Sequence, residues 1–264
     1  MILGTTRLYA IIGDPIEHVR TPMAFNAHFE AHGIDAVCLP IHVGRDDLDR
    51  GWAGLNAIRN LDGFIVTSPH KAGALRLADA AAGDAALAGA VNTVRREPDG
   101  RYTGTLLDGL GFVAGLRRHG HEPAGRSVYI SGAGGAGNAV AFALARAGAA
   151  AITVHNRTRS KAGDLAARLA SAWPDCRVAL GTADPSGHDM AVNATSLGLQ
   201  PGDALSFDLD AASPGTLVAE VVMKPDTTAL LERAAARGHP VHRGIHMLEG
   251  QLSEMMAFFG LPRP

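Results

Sequence analysis

The chain has 264 residues, enough for one large domain or two modest ones, and 47% of them are hydrophobic, as in ordinary globular proteins. A net charge of −2 with no dense basic block argues against nucleic-acid and membrane-surface roles. The two cysteines, Cys38 and Cys176, are too far apart to suggest a disulfide framework, and no apolar run reaches the roughly 18 residues of a membrane span. A cytoplasmic setting is therefore expected.

Met1 to Ile12 reads as a first strand, not a leader peptide, with Leu8 to Ile12 ended by the turn cluster Gly13-Asp14-Pro15. Thr21 is expected to cap a helix, with Pro22 at its first position, that stops near Gly33. Strands at Ala36 to His42 and Gly63 to Thr67, a helix between them and another after Lys71 give βαβα order and a mostly parallel sheet. Val91 to Arg96 and Arg101 to Leu106 flank Pro98-Asp99-Gly100 and predict a hairpin, an antiparallel edge on that sheet.

From about Asp108 the grammar changes. A strand at Ser127 to Ile130 runs into Ser131-Gly132-Ala133-Gly134-Gly135-Ala136-Gly137, and an Ala-rich helix follows to about Ala147. Further strands are expected at Ala151 to His155, Met190 to Asn193 and Leu217 to Val222, with helices at Lys161 to Ala170 and Ile245 to Phe259. Gly132, Gly134 and Gly137 fit G-x-G-x-x-G between a strand and a helix. The first glycine permits a tight turn, the second lets backbone approach a pyrophosphate, and the third lets helix and strand pack closely. The helix N-terminus then faces the phosphates with unpaired N–H groups and a positive dipole. The next strand ends in His155-Asn156-Arg157-Thr158, without the acid that holds a ribose 2′-hydroxyl in NAD sites. Arg157, with Arg159 and Lys161 behind it, suits a 2′-phosphate, so NADP is expected over NAD.

The order of motifs resembles the shikimate dehydrogenase family over essentially the whole chain. Gly13-Asp14-Pro15-Ile16-Glu17-His18 resembles its G-x-P-x-x-H, and Val66-Thr67-Ser68-Pro69-His70-Lys71 its V-T-x-P-x-K. Gly89-Ala90-Val91-Asn92-Thr93 matches G-A-V-N-T, and Asp108-Gly109 the end of N-T-D-G. Asn156-Arg157-Thr158 and Asn193-Ala194-Thr195-Ser196 match cofactor-domain landmarks, and Gly244 to Gln251 resembles the closing G-x-x-M-L-x-x-Q.

The resemblance implies an α/β protein of two domains with a cleft between them. Residues 1–107, joined by a C-terminal helix in 241–264, would form the substrate domain with a mostly parallel sheet. Residues 108–240 would form a Rossmann NADP-binding domain. Lys71 and Asp108 map onto the catalytic pair of an enzyme that reversibly reduces a ring ketone, 3-dehydroshikimate, to shikimate. A lysine there stabilises charge on the carbonyl oxygen and exchanges the proton. The aspartate raises its pKa and desolvation lowers it. Taken alone, Asp108 could equally cap its helix.

Substrate contacts are expected from Thr21, Thr67, Asn92, Gln251, Val19 and Leu107. Cofactor contacts are expected from Gly132, Gly134, Gly135, Ala136, Gly137, Asn156, Arg157, Thr158, Thr195, Met223, Gly244 and Met247. The chain departs from the family where Val19 replaces one hydroxyl of S-x-S, where Ile65, Leu106 and Leu107 replace polar residues, and where Met223 replaces a tyrosine. An unpaired buried polar group costs about 1–3 kcal/mol. A paralogue acting on quinate, an aminoshikimate or another alicyclic hydroxy acid therefore stays open beside true shikimate dehydrogenase. A non-catalytic NADP-binding sensor is the alternative of another class. The twelve histidines are read as surface or packing residues, with His18 and His246 at motif positions beside the cleft, and no metal is expected. A monomer or homodimer with a small-molecule partner completes the reading.

Overall fold

The computed structural model describes residues 2–17 and 19–264, so the His18 of the first motif lies outside the described residues. The chain divides into two compact units, Met1–Leu107 with Leu252–Pro264, and Asp108–Gln251. Among the described residues no helix is long and apolar enough to cross a membrane.

The first unit contains β1 (Arg7–Gly13), α1 (Thr21–Ala31), β2 (Ala36–His42), α2 (Leu48–Ala57), β3 (Leu61–Val66), α3 (Lys71–Leu77), β4 (Ala80–Ala81), α4 (Ala85–Ala88), β5 (Thr93–Arg96) and β6 (Tyr102–Thr105). Its sheet runs β2-β1-β3-β5-β6-β4. β1 is parallel to β2 and β3, and β5 is antiparallel to β3 and β6. The expected hairpin is present but is not the edge, because the two-residue β4 adds in parallel outside β6. Thr21 is the first helical residue and not the cap; Arg20 holds the cap position without a side-chain bond.

In α1 the buried side chains Thr21, Phe25, His28 and Phe29 lie four, three and one apart, a stripe that faces the sheet. Phe25 and Phe29 meet Tyr9 of β1, and Phe259 from the chain's end closes the group with its ring 4.9 Å from that of Tyr9. Gly63 is glycine because a Cβ there would enter the Phe259 ring and the Val94 carbonyl. His28 adds a bond from Nε2 to the carbonyl of Pro262 at 2.8 Å. These contacts tie Leu252–Pro264 to the first unit. Trp52, Phe64 and Tyr102 form a second buried ring cluster, with centroids 5.0–5.6 Å apart.

The second unit contains α5 (Asp108–Arg118), β7 (Ser127–Ser131), α6 (Gly135–Arg146), β8 (Ala151–His155), α7 (Arg159–Ala172), β9 (Arg177–Leu180), β10 (Met190–Asn193), a short 3-10 turn (Leu209–Ala211), β11 (Leu217–Glu220), α8 (Ala229–Ala236), β12 (Val241–His242) and the start of α9 (Ile245–Phe258). Its sheet is wholly parallel in the order β12-β11-β10-β7-β8-β9. Read from β9 this is the doubly wound dinucleotide-binding order, and the order of its strands reverses between β7 and β10. The division falls at 251/252 and not at the expected 240/241, because Val241–His242 pairs with β11 and belongs to this sheet.

Candidate functional site

In the first unit the predicted substrate residues gather at the carboxyl ends of parallel strands, where open α/β sheets bind ligands. The segment after β3 is tied to the end of β1 by Thr67 N–H to the Ile12 carbonyl at 2.9 Å and Asp14 N–H to the Ser68 carbonyl at 3.0 Å. Gly13 permits this approach, since a Cβ there would collide with the Thr67 side chain. His70 is 3% exposed and its Nε2 donates to the Val43 carbonyl at 2.7 Å, which fixes the residue just before Lys71. Lys71 opens α3, half-buried, and its carbonyl accepts from Val91 N–H at 2.9 Å. The next residue, Asn92, is buried, and its Oδ1 accepts from Leu107 N–H at 2.8 Å and from the Thr93 hydroxyl at 3.1 Å. Backbone bonds thus place Thr67, Lys71 and Asn92 side by side. The hydroxyls of Thr21 and Thr67 have no hydrogen-bond partner among the described residues. Val19 is half-buried, and Ile65, Leu106 and Leu107 are buried.

In the second unit Asp108 is 6% exposed and heads α5, and its Oδ1 accepts from Gln251 Nε2 at 2.8 Å. Glycines allow this pairing across 143 residues of sequence. A Cβ at Gly111 would run into Gln251 and the Met247 carbonyl, one at Gly115 into His246, and one at Gly109 into the Ala139 carbonyl of α6. Only a bare backbone lets α5 lie this close to both neighbours.

The glycine-rich turn follows β7 at the switch point. Gly132 has φ +115°, a conformation that favours glycine, and a Cβ there would meet the Ala194 carbonyl at 2.7 Å. Gly137 lies against the Gly132 carbonyl with no room for a side chain. Gly134 caps α6 with extended backbone and no side-chain cap bond, which leaves the first N–H groups of the helix aimed out of the turn. A Cβ at Gly134 or Gly135 would meet nothing within 4 Å, and both residues are exposed, with Ala136 half-buried beside them. This open cradle at a helix N-terminus suits the pyrophosphate of a dinucleotide.

Asn156 bonds the turn to the end of β8, its Oδ1 accepting from Ala133 N–H at 3.1 Å and its Nδ2 donating to the Thr158 carbonyl at 2.9 Å. Arg157 and Thr158 are exposed at that strand end. Thr195 behaves differently from a direct ligand: its hydroxyl donates to Asn193 Oδ1 at 2.7 Å and accepts from Leu197 N–H at 3.0 Å, so it is committed to its own turn. Gly244 is buried where a Cβ would enter the Val222 carbonyl, and that contact holds the segment carrying the half-buried Met223. Met247 is 4% exposed and packs in the interior of the unit.

Two features escaped the sequence reading. Glu220, at the end of β11, is fully buried; burial pushes its carboxyl up to about 7, although the Thr228 hydroxyl and the neighbouring Asn193 side chain pull it down. The histidines also need correction. His242-Arg243-Gly244-Ile245-His246 carries a four-residue spacing that was passed over, and His119, His242 and His246 bring ligand atoms within 4.8 Å of one another. His242 and His246 are buried, so they are not surface residues. Burial, aided by the neighbouring imidazoles, pushes His242 down to about 3.

Residues 11–94 match the family described as shikimate dehydrogenase substrate binding domain, and residues 116–179 match the family described as shikimate / quinate 5-dehydrogenase. The shikimate dehydrogenase (NADP(+)) of Rubrobacter xylanophilus is 40% identical over 252 residues, which cover 94% of this chain and 87% of that protein. The ligand-free 5-ketofructose reductase of Gluconobacter sp. strain CHM43 superposes with a TM-score of 0.90 at 33% identity, covering 98% of this chain and 95% of that one. The shikimate 5-dehydrogenase of Listeria monocytogenes, solved with shikimate and NAD, superposes with a TM-score of 0.91 at 31% identity, covering 99% and 94%. The chain belongs to the shikimate dehydrogenase family of oxidoreductases.

Proposed function

We propose that this chain is an NADP-dependent dehydrogenase that interconverts 3-dehydroshikimate and shikimate. The observation that carries this is the open glycine cradle at the switch point with exposed Arg157, in place of an acid, at the end of β8. Gly132, Gly134, Gly135, Ala136 and Gly137 would bind the pyrophosphate, Asn156 would hold their turn, and Arg157 and Thr158 would take the 2′-phosphate. Thr195, Met223, Gly244 and Met247 would shape the rest of that site, Thr195 and Gly244 chiefly through backbone placement. The reduced cofactor supplies a hydride to the ring carbonyl carbon. Lys71 Nζ stabilises the developing charge on the carbonyl oxygen and gives it a proton, and in the reverse direction it takes the alcohol proton. Asp108, steered by Gln251, accepts a hydrogen bond from the reacting hydroxyl. Thr21, Thr67 and Asn92 bind polar groups of the ring. In this reading residues 1–107 form the substrate domain and the Rossmann unit from Asp108 onward the cofactor domain. The enzyme works in the cytoplasm as a monomer or homodimer.

A second reading keeps the chemistry and changes the substrate. Ile65, Leu106 and Leu107 are buried apolar residues where the family carries polar ones, and a reductase of a keto-sugar shares the fold at 33% identity. Steady-state kinetics with shikimate, quinate and 5-ketofructose, each with both nicotinamide cofactors, separate the two. Saturable turnover of shikimate with the 2′-phosphorylated cofactor supports the first reading. Faster turnover of another substrate supports the second, and turnover of none with cofactor still bound removes both.

A further inference from the structure

We propose that the second unit carries a binding site for one zinc-class divalent cation, formed by His119, His242 and His246. His119 lies just past the end of α5, His242 in β12, and His246 in the first turn of α9. Elements far apart in sequence thus deliver three imidazoles to one point, with their ligand atoms within 4.8 Å of one another. His242 Nδ1 and His246 Nδ1 face each other at 3.3 Å. Four ligands tetrahedral about zinc at Zn–N distances of about 2.0–2.1 Å are separated by edges of about 3.3 Å. The two buried nitrogens already stand at that spacing.

A further observation points to a ligand. His119 Nδ1 donates to the Gly115 carbonyl at 3.0 Å, which fixes the tautomer and leaves Nε2 with its lone pair, as carbonyl partners do for metal-bound histidines. Imidazole ligands suit zinc, copper or nickel better than magnesium or calcium.

Binding requires two adjustments, both at exposed side chains. The His119 ring stacks on His246 at 3.6 Å and 15°, so it must turn to bring its nitrogen to a shared ion. Arg243 lies 3.5 Å from His246 Nε2 and must swing into solvent, since a metal-bound imidazole carries its proton on the opposite nitrogen. The exposed His119 side leaves the fourth position to water. Such an ion would clamp the end of α5 to β12 and the start of α9, the element that carries Gln251. This role is independent of the catalytic reading.

The test is titration of the full-length protein, stripped with chelator, with Zn²⁺ followed by calorimetry and with Co²⁺ followed by its visible absorption. One equivalent per chain and the intense visible bands of tetrahedral cobalt are expected. His119→Gln, at an exposed position that leaves the interior intact, should weaken binding about 10-fold or more, as loss of a metal contact does. His242→Asn should abolish the cobalt bands, and the control His32→Gln, in the first unit, should change neither. The proposal is overturned if stripped protein takes up no stoichiometric ion. It is equally overturned if the ion binds with the same affinity and spectrum in His119→Gln.

Discussion

Replacing Glu220 by Gln should change how the stability of the second unit depends on pH. Glu220 is fully buried; one carboxyl oxygen accepts from the Thr228 hydroxyl at 2.9 Å, and the other has no partner among the described residues. Burial raises its pKa from 4.5 to about 7. Below the ordinary carboxylate pKa both folded and unfolded chains are protonated, and the group contributes nothing. As pH rises through 4.5 the unfolded chain ionises first, so stability falls until the folded group ionises near 7 and stays lower above that. A shift of this size, at 1.36 kcal/mol per pH unit, corresponds to a loss of about 3 kcal/mol between pH 4 and pH 8. Glutamine keeps the acceptor for Thr228 and carries no charge, although its amide N–H groups lack partners and impose a pH-independent cost of about 1–3 kcal/mol. The stability of Glu220→Gln relative to wild type should therefore improve by about 3 kcal/mol from pH 4 to pH 8. Taking the difference between the two proteins cancels the histidines, His242 included. Urea unfolding followed through Trp173, which lies in this unit beside Phe142, measures it. A difference that stays constant across that range refutes the reasoning.

Other substitutions probe the remaining parts. Gly137→Ala puts a methyl group into the Gly132 carbonyl; overpacking of this kind costs about 1–3 kcal/mol, and the KM for cofactor should rise about 10-fold or more with the KM for shikimate little changed, as steady-state kinetics will show. Arg157→Ala should lose about 10-fold or more in kcat/KM with NADP+ and little with NAD+, consistent with removal of a charge-assisted contact; equal losses with both cofactors would contradict the 2′-phosphate role. Gly111→Ala pushes on Gln251 and should lower kcat along with a loss of about 1–3 kcal/mol in stability by denaturant titration.

The strands legible in the sequence were those with an apolar run between turn signals; Met190–Asn193 is buried throughout, whereas Ala36–His42 lies at a sheet edge with only Cys38 buried. Ala36–His42, Ala151–His155 and Met190–Asn193 stand where their apolar runs and flanking turns put them. β4 and β12 have two residues each, too few for any periodicity, and exist because β6 and β11 offer them an edge. β9 is an edge strand whose residues are mostly exposed, so its pattern carries little signal. α8 was legible and overlooked: Thr228 caps it, accepting from Leu231 N–H, and Leu230, Leu231 and Ala234 form its buried face. The glycine turn could be read because strand, turn and helix are consecutive. Lys71, Asp108 and Gln251 came from the resemblance alone, since a lysine after a strand and an aspartate at a helix start have ordinary structural uses. Glycine weakens a helix by propensity, and only the packed structure shows that Gly111 and Gly115 make room for α9. The histidine group joins three separate elements, and only its four-residue half was visible in one stretch of sequence.

The most direct test of the central claim is the initial rate of NADPH formation from shikimate and NADP+ by wild-type protein and by Lys71→Ala, with cofactor binding measured on both. The account predicts saturable turnover by wild type and a loss of at least about 100-fold in kcat for the variant, in line with removal of a general acid–base group, while its affinity for NADP+ stays the same. Turnover by Lys71→Ala equal to wild type would contradict it, as would a wild-type protein that binds NADP+ and leaves shikimate untouched.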